Sequence, residues 1–234
     1  MWIILGAAIA PALLLLWYVY SKDFNPEPRR MVFKGFLYGC ASVFVSTLIS
    51  GPLLDAGLFV NTPQTLLDAV KVSFFGAAVP EESAKLLMLW LLLRRSPEFD
   101  ERYDGMVYAA AVGMGFACIE NLMYVLSSGA DWFYVSTTRA LFAVPGHFAF
   151  AIVMGYFYSR NHFDGASVRA WDRLKVWLLP VLLHGTYDTL AFSAGLSPAL
   201  SGAITLLLLF FCIRLFKSTR ARILRESQKA RGQM

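Results

Sequence analysis

The sequence predicts an all-α, polytopic membrane helix bundle with about seven transmembrane helices. Three observations carry this. Of 234 residues, 57% are hydrophobic and only 16% charged, whereas a soluble domain carries about a quarter charged. The apolar residues fall into long runs, and crossing a hydrocarbon core about 30 Å thick takes roughly 20 of them. The basic residues occupy every second connection between the runs. The expected organisation is a single transmembrane domain over 1–216 and a basic cytoplasmic tail over 217–234.

The first run, 2–20, has no basic segment before it and reads as a retained span, not a cleavable signal peptide. The second covers 32–54. The third, 66–93, is longer than a crossing requires and is expected to tilt, kink or protrude. The fourth, 104–126, carries Gly105, Ala109, Gly113 and Ala117 at intervals of four, a smooth ridge for close helix packing. The fifth, 134–158, follows Trp132, Phe133 and Tyr134, which suit an interfacial aromatic belt. The sixth and seventh cover 175–194 and 198–216. Cys40, Cys118 and Cys212 lie within apolar runs and read as small buried residues, not a disulfide framework.

Of the 21 Lys and Arg, 18 lie in or beside segments 21–31, 94–103, 159–174 and the C-terminal tail. Segments 55–65, 127–133 and 195–198 have none. Basic loops stay cytoplasmic, so the N-terminus is expected outside and the C-terminus inside a multi-pass protein of the cell membrane. The net charge of +5 then reflects topology and contact with anionic lipid, not nucleic-acid binding. The exceptions are Lys71, Lys85 and Arg139. Arg139 lies near the outer end of its run and is read as snorkelling to the interface.

Ionisable groups within a bilayer are expensive and mark function. The third run holds Pro80-Glu81-Glu82-Ser83-Ala84-Lys85, the fourth Phe116-Ala-Cys-Ile-Glu120-Asn121, the fifth Pro145-Gly146-His147, and the sixth Pro180 followed by His184 and Asp188. Glu81, His147 and Asp188 each stand 13 residues from a basic marker (Arg94, Arg160 and Lys175), or about 20 Å along a straight helix. Glu81 and Lys85 share a helix face, as do His184 and Asp188. The prolines free backbone carbonyls, which in a membrane need protein or water as partners. A wet cavity between helices three, four, five and six is the expectation.

These residues resemble the PrsW family of intramembrane proteases, within the wider CAAX-prenyl-endopeptidase and bacteriocin-processing superfamily. Glu81-Glu82-x-x-Lys85, Phe116-x-x-x-Glu120-Asn121, His147 and His184-x-x-x-Asp188 carry the resemblance. The flanking strings Lys22-Asp-Phe-Asn-Pro-Glu-Pro28 and Phe99-Asp-Glu-Arg-Tyr-Asp-Gly-Met-Val-Tyr108 agree. The resemblance implies cleavage of a membrane-anchored substrate, a single-span anti-sigma factor cut on its extracytoplasmic side in the family. It also implies that the paired glutamates include the base that activates water, with later histidines assisting. The second motif ends in Glu120 where the wider superfamily has His. That leaves Glu120 as a second carboxylate, a proton store or a ligand.

The chemistry is consistent with that. Peptide hydrolysis needs an activated water, an oxyanion stabiliser and a proton for the leaving amine, and a carboxylate can serve as the base. There is no HExxH, and no Ser-His-Asp order. Glu81 is the favoured base. Glu82 orients it or pairs with Lys85. His184, fixed by Asp188 or another carboxylate, is an oxyanion or proton donor, and His147 can share that role. Asn121 is expected to bond another helix. No cofactor is the first reading. The alternative is zinc held by Glu81, Glu120, His147, His184 and Asp188, whose donor types suit it. Intramembrane carboxylates also serve proton-coupled transporters, but the sequence shows no inverted repeat. A receptor is a further alternative, though the loops leave little surface for a ligand.

Overall fold

The computed structural model describes residues 2–165 and 168–232, which fold into helices joined by short connections. In chain order they are α1 (Trp2–Tyr20), α2 (Arg29–Asp55), α3 (Leu66–Lys71), a π-helical segment (Val72–Ala78), α4 (Val79–Leu93), α5 (Asp104–Ser127), a 3₁₀ turn (Gly129–Asp131), α6 (Trp132–Leu141), α7 (Ala143–Phe163), α8 (Ala170–Ala194) and α9 (Pro198–Gly232). Among the described residues, five rods are long and apolar enough to cross a membrane: α1, α2, α5, the α6–α7 rod with its preceding turn, and α9. The other two, α3–α4 and α8, occupy the positions read as the third and sixth spans. They carry the buried Glu82, Lys85 and His184 and pack within the same bundle.

Helix α5 is the centre. Every residue from Asp104 to Cys118 is buried, with α2 on one side and α7 on another. The small-residue ridge explains the closeness. A Cβ on Gly105 would lie 2.0 Å from Ser159 Oγ, and one on Gly113 would lie 2.6 Å from Ala151 Cβ. On the α2 side, a Cβ on Gly39 would meet the Val112 carbonyl oxygen at 2.0 Å. Outward faces of α1, α2 and α9 expose Trp2, Leu14, Trp17, Phe44, Leu48, Leu206 and Phe210, the surface expected where lipid is the solvent.

The third rod begins with a reciprocal cap. Thr65 Oγ1 accepts from the Asp68 amide at 3.1 Å, and Asp68 Oδ2 accepts from the Thr65 amide at 3.0 Å. The rod then widens into a π-helical segment, where the Val79 amide donates to the Phe74 carbonyl. Pro80 has no amide to continue the α-helical ladder, which accounts for the widening just before Glu81.

Two boundaries depart from the sequence reading. The fifth run breaks at Phe142 (φ −126, ψ −59) into α6 and α7. Pro145 cannot donate to the Leu141 carbonyl and its ring crowds that carbonyl, so the helix ends there and restarts. The seventh run does not stop at 216. Helix α9 continues through the basic segment to Gly232, and its end docks on the 21–28 connection, where Ser227 Oγ donates to the Lys22 carbonyl at 2.6 Å. Gln233 and Met234 lie outside the described residues.

The basic segments meet at one end of the bundle. Arg102 pairs with Asp164, Arg222 lies over the Tyr156 ring, and Arg231 lies over Phe24.

Candidate active site

Five of the predicted residues come from four helices: Glu81 and Glu82 from α4, Glu120 from α5, His147 from α7 and His184 from α8. Together with Lys85, Asn121, Asp188 and Arg139 they form one continuous hydrogen-bonded chain. Asp188 Oδ2 lies 3.2 Å from His184 Nε2, and His184 Nδ1 lies 2.9 Å from Glu82 Oε1. That oxygen also accepts from Lys85 Nζ at 2.8 Å. Lys85 Nζ reaches His147 Nδ1 at 3.1 Å and Glu81 Oε2 at 3.3 Å. His147 Nε2 lies 2.7 Å from Glu120 Oε2, which accepts also from Arg139 Nη2 at 2.8 Å. Arg139 Nε donates to Asn121 Oδ1 at 2.9 Å, and Asn121 Nδ2 donates to the Ala8 carbonyl of α1 at 2.6 Å.

The chain fixes proton positions. An ammonium only donates, so His147 Nδ1 accepts from Lys85 and the proton of a neutral ring sits on Nε2, facing Glu120. Both ring nitrogens of His184 face carboxylate oxygens, an arrangement that an imidazolium with two N–H donors satisfies. Aromatic rings hold these groups in place. Phe116 lies under Lys85 at 4.0 Å and 5.5 Å from the His147 ring. Phe150 stacks on His184 at 4.9 Å.

The two glutamates differ in access. Glu82 is fully enclosed, and its Oε2 has no hydrogen-bond partner. Glu81 lines a cavity of about 240 Å³ together with Glu120, Arg139, His147, His184 and Asp188. The expected cavity is therefore present, with Glu81 as its exposed member of the pair. Its rim includes Tyr124, Thr138 and Phe192, close to the connections that carry no Lys or Arg.

Two placements differ from the sequence reading. Arg139 does not snorkel; it is mostly buried and pairs with Glu120. A signal for it existed: Glu120 and Arg139 each stand nine residues from the Gly129–Ala130 turn, so an antiparallel hairpin brings them to one depth. Asn121 bonds another helix as expected, but it tethers α1 and does not line the cavity. The set of possible ligands also changes. Glu81, Glu82, His147 and His184 each place a ligand atom within 4.8 Å of the others, whereas Glu120 and Asp188 bond the second nitrogens of the histidines.

By kind, those four donors suit zinc. By arrangement they do not fit a resident divalent ion. Lys85 Nζ stands among Glu81, Glu82 and His147, and each histidine nitrogen already serves a hydrogen bond. An ion there would require the ammonium to leave.

Comparisons with known proteins identify the family. A family model described as "PrsW family intramembrane metalloprotease" matches residues 27–215. A protease PrsW of Geobacillus kaustophilus is 34% identical over 191 residues, covering 81% of this chain and 80% of the relative. That of Bacillus subtilis is 34% identical over 190 residues, covering 80% and 82%. That of Clostridioides difficile is 33% identical over 184 residues, covering 77% and 76%. No solved structure matches. The likeness extends over most of the chain and takes in all of the buried polar network except its α1 anchor, and on this basis the chain belongs to the PrsW family of intramembrane proteases.

Proposed function

We propose that this protease cuts a single-span membrane protein of the anti-sigma-factor type, at the first site and on the extracytoplasmic side of the cell membrane, by a glutamate-activated water. The observation that carries the reading is the unequal access of the paired glutamates: Glu81 reaches the cavity and Glu82 does not. Glu81 takes a proton from water as the hydroxide oxygen attacks the peptide carbonyl. His184 and Arg139, both donors on the cavity wall, stabilise the oxyanion. As the C–N bond breaks, the proton on Glu81 passes to the leaving amine. Glu82 and Lys85 position Glu81 and His184. The cavity rim lies near the connections without basic residues, which supports a cut away from the cytoplasm under the positive-inside rule.

A zinc-dependent reaction at the same site is the second reading, favoured by the four clustered donors and requiring Lys85 to be displaced. The test is co-expression of tagged single-span anti-sigma proteins with wild type, Glu81→Gln, Glu82→Gln and His184→Ala, with the membrane level of each variant measured. Loss of cleavage by all three at normal levels supports the site. Wild-type cleavage by Glu81→Gln overturns its assignment as base.

A further inference from the structure

The two flanking strings, Lys22–Pro28 and Phe99–Tyr108, play no part in the hydrolytic site, yet they fold onto one another at the basic end of the bundle. Asp23 and Glu27 lie in the α1–α2 connection, and Asp104 is the first residue of α5. All three are buried, and each places a carboxylate oxygen within 4.8 Å of the others.

Some of these oxygens are accounted for. Asp104 Oδ2 accepts from the amides of Asp100 at 2.9 Å and Glu101 at 2.7 Å. Asp23 Oδ1 accepts from the Asn25 amide at 3.2 Å, and the Tyr108 hydroxyl donates to Glu27 Oε2. Among the described residues, Asp104 Oδ1 and Asp23 Oδ2 are buried and no N–H or hydroxyl donates to either. Leaving a buried acceptor unpaired costs about 1–3 kcal/mol, and more when it is charged. Among the described residues no Lys or Arg forms an ion pair with any of the three. Basic residues close in sequence are engaged elsewhere: Lys22 lies over the Tyr18 ring and Arg102 pairs with Asp164. Holding all three ionised is costly in consequence. Burial pushes Asp23 up to about 7, with Glu101 and Glu27 adding to the rise, and burial likewise raises Glu27.

We infer that Asp23, Glu27 and Asp104 form a binding site for a hard divalent cation of the Mg²⁺ or Mn²⁺ class, separate from the hydrolytic site. An all-oxygen donor set without His or Cys suits such ions and not zinc. The cation would supply the partner that the two orphan oxygens lack. It would also lock the α1–α2 connection to the start of α5, the helix that carries Glu120. The competing explanation is protons shared among the carboxyls.

The experiment uses the full chain, purified in detergent and stripped of metal by chelation, with Mn²⁺ titrated and its free signal followed by electron paramagnetic resonance. Wild type and a Glu81→Gln, His184→Ala double variant are expected to bind one Mn²⁺ tightly, displaced by Mg²⁺. Asp23→Asn and Glu27→Gln are expected to weaken that binding by about tenfold or more, as loss of ligand charge does. Both lie in a connection, so folding does not depend on a helix position. Added Mg²⁺ should raise the melting temperature of wild type and not of Asp23→Asn. Failure of the double variant to bind Mn²⁺, or unchanged binding in Asp23→Asn and Glu27→Gln, overturns the site. A rise in melting temperature in the neutral variants, with no Mn²⁺ bound by wild type, assigns the cluster to shared protons.

Discussion

Arg139 Nη2 donates to Glu120 Oε2 at 2.8 Å, joining α6 to α5 inside the bundle. The same carboxylate oxygen serves His147, so Arg139 holds Glu120 where it can orient the histidine. Removing one partner of a buried pair leaves the other uncompensated and costs about 3–5 kcal/mol. Arg139→Leu is therefore expected to lower the melting temperature in detergent. It should also reduce cleavage by about 10²–10³-fold if the guanidinium faces the oxyanion. Arg139→Lys should restore stability more than cleavage, because an ammonium cannot reach Glu120 and Asn121 with two fixed N–H groups. Equal recovery of both would assign Arg139 to packing alone.

The glutamates should separate by stability. Glu81→Gln removes the base at the cavity wall and is expected to abolish cleavage with little change in melting temperature. Glu82→Gln breaks contacts to Lys85 and His184 in a fully enclosed place, and should cost both cleavage and about 3–5 kcal/mol of stability. Parallel melting curves and cleavage assays on the purified variants decide this.

The break at Phe142 sets the position of Arg139. Pro145→Ala restores an amide at the start of α7 and removes the ring that crowds Leu141. Helix α6 is then expected to run straight into α7 and draw Arg139 from Glu120, lowering cleavage while helix content by circular dichroism holds or rises. Unchanged cleavage would show that the break is not needed to place Arg139.

Close packing around α5 predicts a contrast between glycines. Gly39→Ala would push a methyl to 2.0 Å from the Val112 carbonyl oxygen, whereas Gly6→Ala meets nothing within 4 Å. Overpacking of this kind costs about 1–3 kcal/mol. The first variant should melt lower than wild type and the second should not.

Chelation discriminates between the two chemical readings. With glutamate as base, exhaustive treatment with a zinc-selective chelator leaves cleavage intact. Loss of activity that returns on adding zinc would instead show that Lys85 yields its place to an ion.

Much of this was legible in the sequence. Long apolar runs and alternating basic loops required a multi-pass bundle, because unpaired backbone and charge are too costly in hydrocarbon to permit another arrangement. Depth counting from basic markers brought Glu81, His147 and Asp188 to one level, and all three line the cavity. The spacing of Gly105 and Gly113 foretold close packing, since a missing Cβ is a local property of the chain. Tertiary structure decided which groups actually touch. Glu81 and Glu82 are neighbours in sequence, and only the placement of α8 and α7 around α4 encloses one and leaves the other at the cavity. Arg139 was misplaced because depth along an assumed straight run does not register the break at Phe142 or a partner 19 residues away on another helix. Which side chains meet across helices depends on how each helix is rotated and where it breaks, and spacing along one helix fixes depth and smoothness but not these.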